Sequence, residues 1–274
     1  MDRLSVETAD QLLARTEVDR AGEIDLGRVT RVDPYGLLLV VLIVYHHRER
    51  GVDLPVRWPR HPQTRRALEE MGLPRVLGRS EHRGWARADT SYPVADISEE
   101  KGISAVVEAF DRRLLQGYPL TTASRRRLIN VLFELFQNIP HHSNATGDVA
   151  HPMGMAAMQD DEDGIHLAVV DKGIGLGCSL GLRSEYHGIS DAAALNRIVF
   201  LGMSRHADPG HGGELRRIAE LTRAWEGTLA IRSGEAILYM DSERGDIYDS
   251  PPFPGVQIGL RLPRHVLGVE EPPA

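Results

Sequence analysis

Apolar residues recur at helical spacing in some stretches of the chain and alternate with polar residues in others. The clearest helix is predicted over residues 122–138, where apolar residues from Leu128 to Phe136 fall on one face at i, i+3, i+4, i+7 and i+8. Further helices are predicted at residues 8–18, 34–48, 63–71, 103–116 and 213–225. Strands are predicted at residues 23–26, 52–58, 91–97, 153–159, 164–171, 228–233, 236–241 and 256–262.

This order of elements predicts an α/β protein in two parts. In the first part, strands separated by helices favour parallel pairing. In the second part, helices precede a mostly antiparallel sheet that includes a hairpin with an acidic turn at residues 160–164, which indicates an α/β sandwich. The pattern weakens between the two parts, so we expect domains at residues 1–85 and 101–274, with a linker at residues 86–100.

The predicted helix at residues 34–48 has an unusual apolar run. Residues 37–44 are apolar on every helical face, which is more than one core-facing stripe requires. We therefore expect a second buried surface on this helix, against the second domain or a partner protein. The alternative is a helix enclosed wholly within its own small domain.

Composition narrows the class of protein. With 42% hydrophobic and 26% charged residues, the chain has the balance of a soluble globular protein. Its longest apolar run is far shorter than the about 20 residues that cross a bilayer, and no signal peptide is evident. A single cysteine, Cys178, excludes an intramolecular disulfide and a cysteine-based zinc site. A net charge of −7 argues against general nucleic-acid binding. Because neither a signal peptide nor a membrane-spanning run is predicted, we expect a cytoplasmic protein without membrane association.

Two segments carry side chains suited to nucleotide chemistry. Glu134 and Asn138 lie four residues apart on one helix face, where a carboxylate and an amide could hold a divalent cation or a water. Asp171 ends an apolar strand and could accept a hydrogen bond from an exocyclic amine, while Gly173 and Gly175 allow a ligand close to the backbone. Taken singly, these features are also typical of a solvated helix edge and of a strand followed by a tight turn.

A third segment, residues 209–215, contains Gly210 and Gly212 and opens the helix at residues 213–225. Backbone N–H groups at a glycine-rich helix start favour an anion such as phosphate, although a flexible loop would have the same composition. The chain contains no G-x-x-x-x-G-K-[ST] motif, which excludes a Walker-type phosphate loop.

The order of the three segments resembles the GHKL ATPases, the superfamily of gyrase, Hsp90, histidine kinases, MutL and anti-sigma-factor serine kinases. Residues 134–143 resemble the N box, residues 171–175 the G1 box and residues 210–212 the G2 box, with residues 176–209 as the ATP lid. The resemblance covers about residues 100–265 and implies a GHKL-type α/β sandwich that binds ATP and Mg²⁺.

The resemblance also implies a role for each matching residue. Asn138 would hold Mg²⁺, Asp171 would read the adenine amine and Glu134 would be the general base. The nucleotide loops would be shaped by four glycines: Gly173, Gly175, Gly210 and Gly212. At residues 213–214 the chain has Gly-Glu where the family usually has leucine and often glycine, and a carboxylate there would repel a triphosphate.

The first part resembles a STAS domain, the fold of anti-sigma-factor antagonists, at residues 24–37 and 65–73. That family places a serine before the glycine that enters the helix, and this serine accepts phosphate. Here Tyr35 stands at that position. We therefore expect an N-terminal STAS-like domain that carries no phosphate and serves for docking.

Together the resemblances imply a signal-transduction regulator, similar to anti-sigma-factor serine/threonine kinases, that transfers phosphate from Mg·ATP to a partner protein. The partner would be a regulatory protein such as an anti-sigma antagonist or a sigma-like factor, and a homodimer is also compatible with the chain. Two alternatives remain open. One is a non-catalytic, nucleotide-gated protein-binding module, and the other is an ATPase without a protein acceptor.

Overall fold

The computed structural model describes residues 1–16, 22–78, 94–97, 100–142, 154–205 and 213–266. Within these ranges the α-helices are α1 (Ala9–Arg15), α2 (Pro34–Glu49), α3 (Pro62–Glu70), α4 (Leu73–Val76), α5 (Glu100–Gly117), α6 (Thr122–His142), α7 (Gly175–Leu180), α8 (Asp191–Leu201) and α9 (Glu214–Ala224). The strands are β1 (Arg3–Leu4), β2 (Ile24–Asp25), β3 (Arg31–Val32), β4 (Val56–Arg57), β5 (Ala95–Asp96), β6 (Gly154–Asp161), β7 (Gly164–Asp171), β8 (Thr228–Met240) and β9 (Gly245–Pro263).

The strands pair as a mixed α/β fold. Near the N-terminus β2 pairs with β4 in parallel, as the alternation of strands and helices predicted. A second parallel pair joins β1 to β3, two strands that the sequence analysis did not predict. The main sheet has the order β5-β6-β7-β9-β8, and all its neighbouring strands are antiparallel. The two-residue strand β5 lies within the segment expected as a linker and pairs with β6.

One face of the main sheet is covered by α5, α6, α8 and α9. The stripe predicted on α6 packs into this core, since Leu128, Leu132 and Phe136 are all buried. The helix runs one turn beyond its predicted end, to His142. The hairpin of β6 and β7 is also confirmed: β7 has its predicted bounds, and β6 extends two residues further than predicted, to Asp161.

The opposite face of the sheet packs against the N-terminal elements, and above all against α2. Residues 37–44 of this helix are buried on every side and share one core with sheet residues such as Ala168 and Val170. The helix contacts β6, β7 and β9, and this sheet face is the second buried surface expected from its apolar run. Asp33 caps the helix by accepting a hydrogen bond of 2.8 Å from the Gly36 N–H.

Close approach of the N-terminal segment to β9 requires a residue without a side chain. A Cβ on Gly259 would lie 2.8 Å from Cγ2 of Val6 and 3.0 Å from Cδ2 of Tyr35. These separations are shorter than van der Waals contact, so glycine at this position permits the packing.

A buried arginine also joins the two parts. Arg232 of β8 is fully buried; its guanidinium forms an ion pair with Asp10 of α1 and donates a 3.3 Å hydrogen bond to the Tyr35 hydroxyl. Burial raises the pKa of Tyr35. Tyr35 is therefore enclosed and already hydrogen-bonded.

Three local predictions need correction. Asp160 does not belong to a solvated turn, because it is buried in β6 and pairs with Arg113. The strands predicted at residues 228–233 and 236–241 form the single strand β8, in which Gly234, with φ of 57°, marks a shift of register. β9 begins at Gly245 rather than at residue 256.

The segment predicted as a lid, residues 176–209, is helical over much of its described part. It contains most of α7 and the whole of α8, which buries Ala194, Leu195 and Val199 in the core. Residues 206–209 lie outside the described part of the chain. A core helix thus lies within the stretch that the resemblance had assigned to the lid.

We predict that Asp10→Asn lowers the free energy of unfolding by about 2 kcal/mol, because it leaves the buried Arg232 guanidinium without a countercharge. Urea denaturation measures the change. The matched control is Asp53→Asn, which removes an 89% exposed carboxylate 3.8 Å from Arg48 and should change stability by less than about 0.5 kcal/mol. Equal losses in both variants would contradict the structural role of Arg232.

Candidate functional site

A cavity lies on the helical side of the sheet, between the second half of α6, the end of β7 and the start of α9. Its polar lining comprises Asn138, Asp171, Ser179, Ser204, Arg205 and Glu214. Its walls are mainly apolar, formed by Leu135, Ile139, Val169, Ile174, Leu176, Leu180, Ile198, Met203, Leu215, Val256 and Ile258. Apolar walls with a few fixed polar groups are typical of a small-molecule site.

Asp171 is the last residue of β7, and the strand places its carboxylate at the cavity. Its Oδ1 accepts a 2.7 Å hydrogen bond from the Gly173 N–H, and the backbone N–H of Val256 also donates to the carboxylate. Burial raises the pKa of Asp171 to about 7, because desolvation outweighs these two hydrogen bonds. The carboxylate is therefore fixed in position, poorly hydrated and ready to change its protonation state near neutral pH.

Gly255 makes the position of Asp171 possible, and the sequence analysis did not identify it as a site residue. Its φ is 80°, and a Cβ there would lie 2.1 Å from the backbone oxygen of Asp171 and 2.9 Å from Oδ1. Gly255 lies inside β9, just before the part of this strand that was predicted from residue 256. A glycine within an apolar strand is itself a signal of close backbone approach.

Gly175 begins α7 with φ of 76° and lines the same cavity. Its neighbour Leu176 donates a 2.8 Å hydrogen bond from its backbone N–H to Oγ of the buried Ser233. A Cβ on Gly175 would lie 3.0 Å from that oxygen. Gly175, the second glycine of residues 171–175, therefore allows the chain to turn tightly against β8.

Glu134 lies one turn before Asn138 on α6 and faces α9. Its Oε2 accepts a hydrogen bond of 2.9 Å from Nε of Arg217, and Nη2 of Arg217 forms an ion pair with the same oxygen at 2.8 Å. Nη2 of Arg217 also lies 3.6 Å from Oε1 of Glu214, which lines the cavity. The negative charge of Glu214, which departs from the family pattern, is thus partly offset by a neighbouring guanidinium.

The loop after Asp171 also contacts the N-terminal part. Lys172 forms an ion pair with Glu49, in the last turn of α2, and burial lowers the pKa of Lys172. The end of α2 therefore lies next to the loop that fixes Asp171.

The structure brings together some of the sequence-predicted residues. Asn138, Asp171 and Gly175 line one cavity, and Gly173 supports the Asp171 carboxylate. Glu134 pairs with Arg217 of α9 and is not among the residues that line the cavity, whereas Gly210 and Gly212 lie outside the described residues. Sequence reasoning did not identify Arg205, Ser233 or Arg217, because their contacts join segments far apart in the chain.

Comparison of the chain with family models and with curated proteins finds no match. Over the described ranges, the structure has no helix that is both long and apolar enough to span a membrane. Nor do the described residues contain a group of three or more His, Cys, Asp or Glu side chains arranged to hold a metal ion.

We predict that Gly255→Ala destabilises the protein by about 3 kcal/mol or more, because the methyl group would overlap the Asp171 backbone in addition to straining φ. The control is Gly51→Ala, where φ is 76° but nothing lies within 4 Å of the added Cβ, so only the backbone strain of about 1 kcal/mol remains. Thermal and urea unfolding compare the two. A Gly255→Ala variant as stable as the Gly51→Ala variant would contradict the close packing at Asp171.

Proposed function

We propose that the cavity binds ATP with Mg²⁺, and that the protein is a regulator similar to anti-sigma-factor serine/threonine kinases. The observation that carries this proposal is the cavity itself. Asn138, Asp171 and Gly175 come from separate positions in two of the GHKL-like segments, and they line one mostly apolar cavity. Residues from two segments that follow each other in the GHKL order thus meet at one cavity.

Asp171 supplies the recognition of adenine in this proposal. The hydrogen bonds from Gly173 and Val256 fix the carboxylate, and its remaining lone pairs can accept from the exocyclic amine of adenine. The apolar walls suit the faces of a purine ring. Guanine presents a carbonyl oxygen at the equivalent ring position, so the same carboxylate would repel it.

The phosphates would lie toward α9. The amide oxygen of Asn138 suits Mg²⁺, which prefers oxygen ligands and supplies charge neutralisation to the phosphates when bound. Arg205 lines the cavity, and burial lowers its pKa.

The proposed reaction is phosphate transfer to a serine or threonine hydroxyl of a partner such as an anti-sigma antagonist. The hydroxyl oxygen would form a bond to the γ-phosphorus while the bond between this phosphorus and the bridging oxygen of ADP breaks. Glu134 would accept the hydroxyl proton. In this reaction Glu134 is the base, and the residues that line the cavity position the nucleotide.

We expect calorimetry to detect ATP binding that Mg²⁺ tightens, with much weaker binding of GTP. Asp171→Asn should remove most of this adenine preference, because the amide offers one acceptor oxygen where the carboxylate offers two. Asp246→Asn, which alters an exposed carboxylate in the β8–β9 hairpin, serves as the control. No adenine-nucleotide binding up to millimolar concentration would refute the proposal.

We also expect adenine binding to weaken as the pH falls. The pKa of Asp171 is raised to about 7, so the acceptor carboxylate predominates at pH 8 and its protonated form at pH 6. The affinity should therefore fall about tenfold over this interval. Adenosine is the probe, because it lacks phosphates that titrate in the same range, and its affinity for the Asp171→Asn variant should not vary with pH.

The raised pKa of Asp171 also determines how the stability of the fold depends on pH. The folded-state pKa of Asp171 lies above the ordinary carboxyl value of 3.8, so the native state holds the extra proton. The contribution of this group to stability is thus present at low pH and is lost as the pH rises through about 7. A pH-independent affinity for adenosine would contradict the role of Asp171 as acceptor.

A nucleotide-gated binding module is the second candidate function. The observation in its favour is the carboxylate of Glu214, which lines the cavity and would repel the phosphates. Incubation of the protein with labelled Mg·ATP and cell lysate, followed by measurement of free phosphate and labelled protein, separates the candidates. Labelled protein supports the kinase, free phosphate alone supports an ATPase without acceptor, and binding without either product supports the module.

A further inference from the structure

The pair of Glu134 and Arg217 joins α6 to α9, two helices that are far apart in the sequence. Both contacts, from Nε at 2.9 Å and from Nη2 at 2.8 Å, are made to Oε2 of Glu134. The two side chains are 35% and 46% exposed, so the pair adds little to the stability of the fold. Its main consequence is therefore geometric, because a hydrogen bond and an ion-pair contact to the same oxygen restrict rotation of the carboxylate.

The pair leaves the other carboxylate oxygen, Oε1, to other partners. A general base needs an oxygen within hydrogen-bond reach of the proton that it removes. Glu134 is one helical turn, about 6 Å, from Asn138, which lines the cavity. The contact with Arg217 thus holds a carboxylate one helical turn from the cavity-lining Asn138 and is made to Oε2 alone, so that Oε1 is the oxygen available for proton transfer.

Arg217 is itself held between two carboxylates. In addition to Glu134 it approaches Glu214, whose Oε1 lies 3.6 Å from Nη2. Glu214 lines the cavity at the start of α9. A guanidinium between a cavity-lining residue and the proposed base is well placed to set their relative positions.

We propose that Arg217 is the positioning residue for Glu134 in phosphate transfer. The assignment rests on the proposed function and deepens it. In the transfer step Arg217 keeps its proton and stays on Oε2, while Oε1 accepts the proton of the acceptor hydroxyl. Arg217 therefore affects turnover and leaves the affinity for ATP unchanged.

The test uses the full chain with Arg217→Gln, Arg217→Lys and the control Arg216→Gln. Arg216 is the adjacent residue on α9 and pairs with Glu220 at 2.9 Å, so the control removes an equivalent exposed ion pair from the same helix. Turnover of Mg·ATP gives kcat and KM, and calorimetry gives the Kd for ATP. Circular dichroism verifies that each variant is folded.

We expect Arg217→Gln to lower kcat about tenfold or more, since a misplaced base loses part of a contribution of about 100-fold or more. The Kd for ATP should stay within about twofold, because the contact is not to the nucleotide. Arg217→Lys retains the charge and should recover a substantial part of kcat, while Arg216→Gln should match the wild type.

Three results would overturn the assignment. The first is a kcat for Arg217→Gln equal to that of Arg216→Gln. The second is a loss of ATP affinity in parallel with kcat, which would make Arg217 a phosphate ligand. The third is a wild-type protein that binds ATP without turnover, which would leave the binding proposal intact, whereas absence of binding in the calorimeter would refute the proposed function itself.

Discussion

The main sheet buries apolar side chains on both faces, and the rest of the structure is arranged to cover them. Along β7, Val169 belongs to the core beneath α6 and α9, while its neighbour Val170 belongs to the core shared with α2. Successive side chains of a strand point to opposite faces, so this strand requires two separate apolar layers. The N-terminal elements supply one layer and the later helices supply the other, which explains why α2 is apolar on every face.

Burial of the main sheet on both faces also determines the chemistry of the site. A carboxylate at the end of a strand buried on both faces loses much of its hydration, and Asp171 occupies this position. Gly255 lets β9 pass close to it, and Gly173 donates a backbone hydrogen bond to it. The ion pair of Lys172 with Glu49 connects the next residue to α2, so the N-terminal part is in direct contact with the loop that fixes Asp171.

Features that depend on local periodicity could be predicted from the sequence. Helices α2 and α6, the hairpin of β6 and β7 and the parallel pairing of β2 with β4 all follow from patterns within a few residues. The ion pairs Glu134–Arg217 and Asp10–Arg232 could not be predicted, because their partners are 83 and 222 residues apart. Helix α8 was not predicted, because the resemblance assigned its residues to a lid, although tertiary packing buries its apolar face.

The central claim is that adenine nucleotide occupies the cavity beside Asp171. Hydrogen exchange of the full chain, with and without saturating Mg·ATP, tests it most directly, because bound ligand slows the opening of the amides that it covers. The account predicts protection concentrated in residues 171–180, in residues 253–258 and near Asn138, with no comparable effect of Mg·GTP. Unchanged exchange in these segments, or protection confined to the N-terminal elements on the opposite face of the sheet, would contradict it.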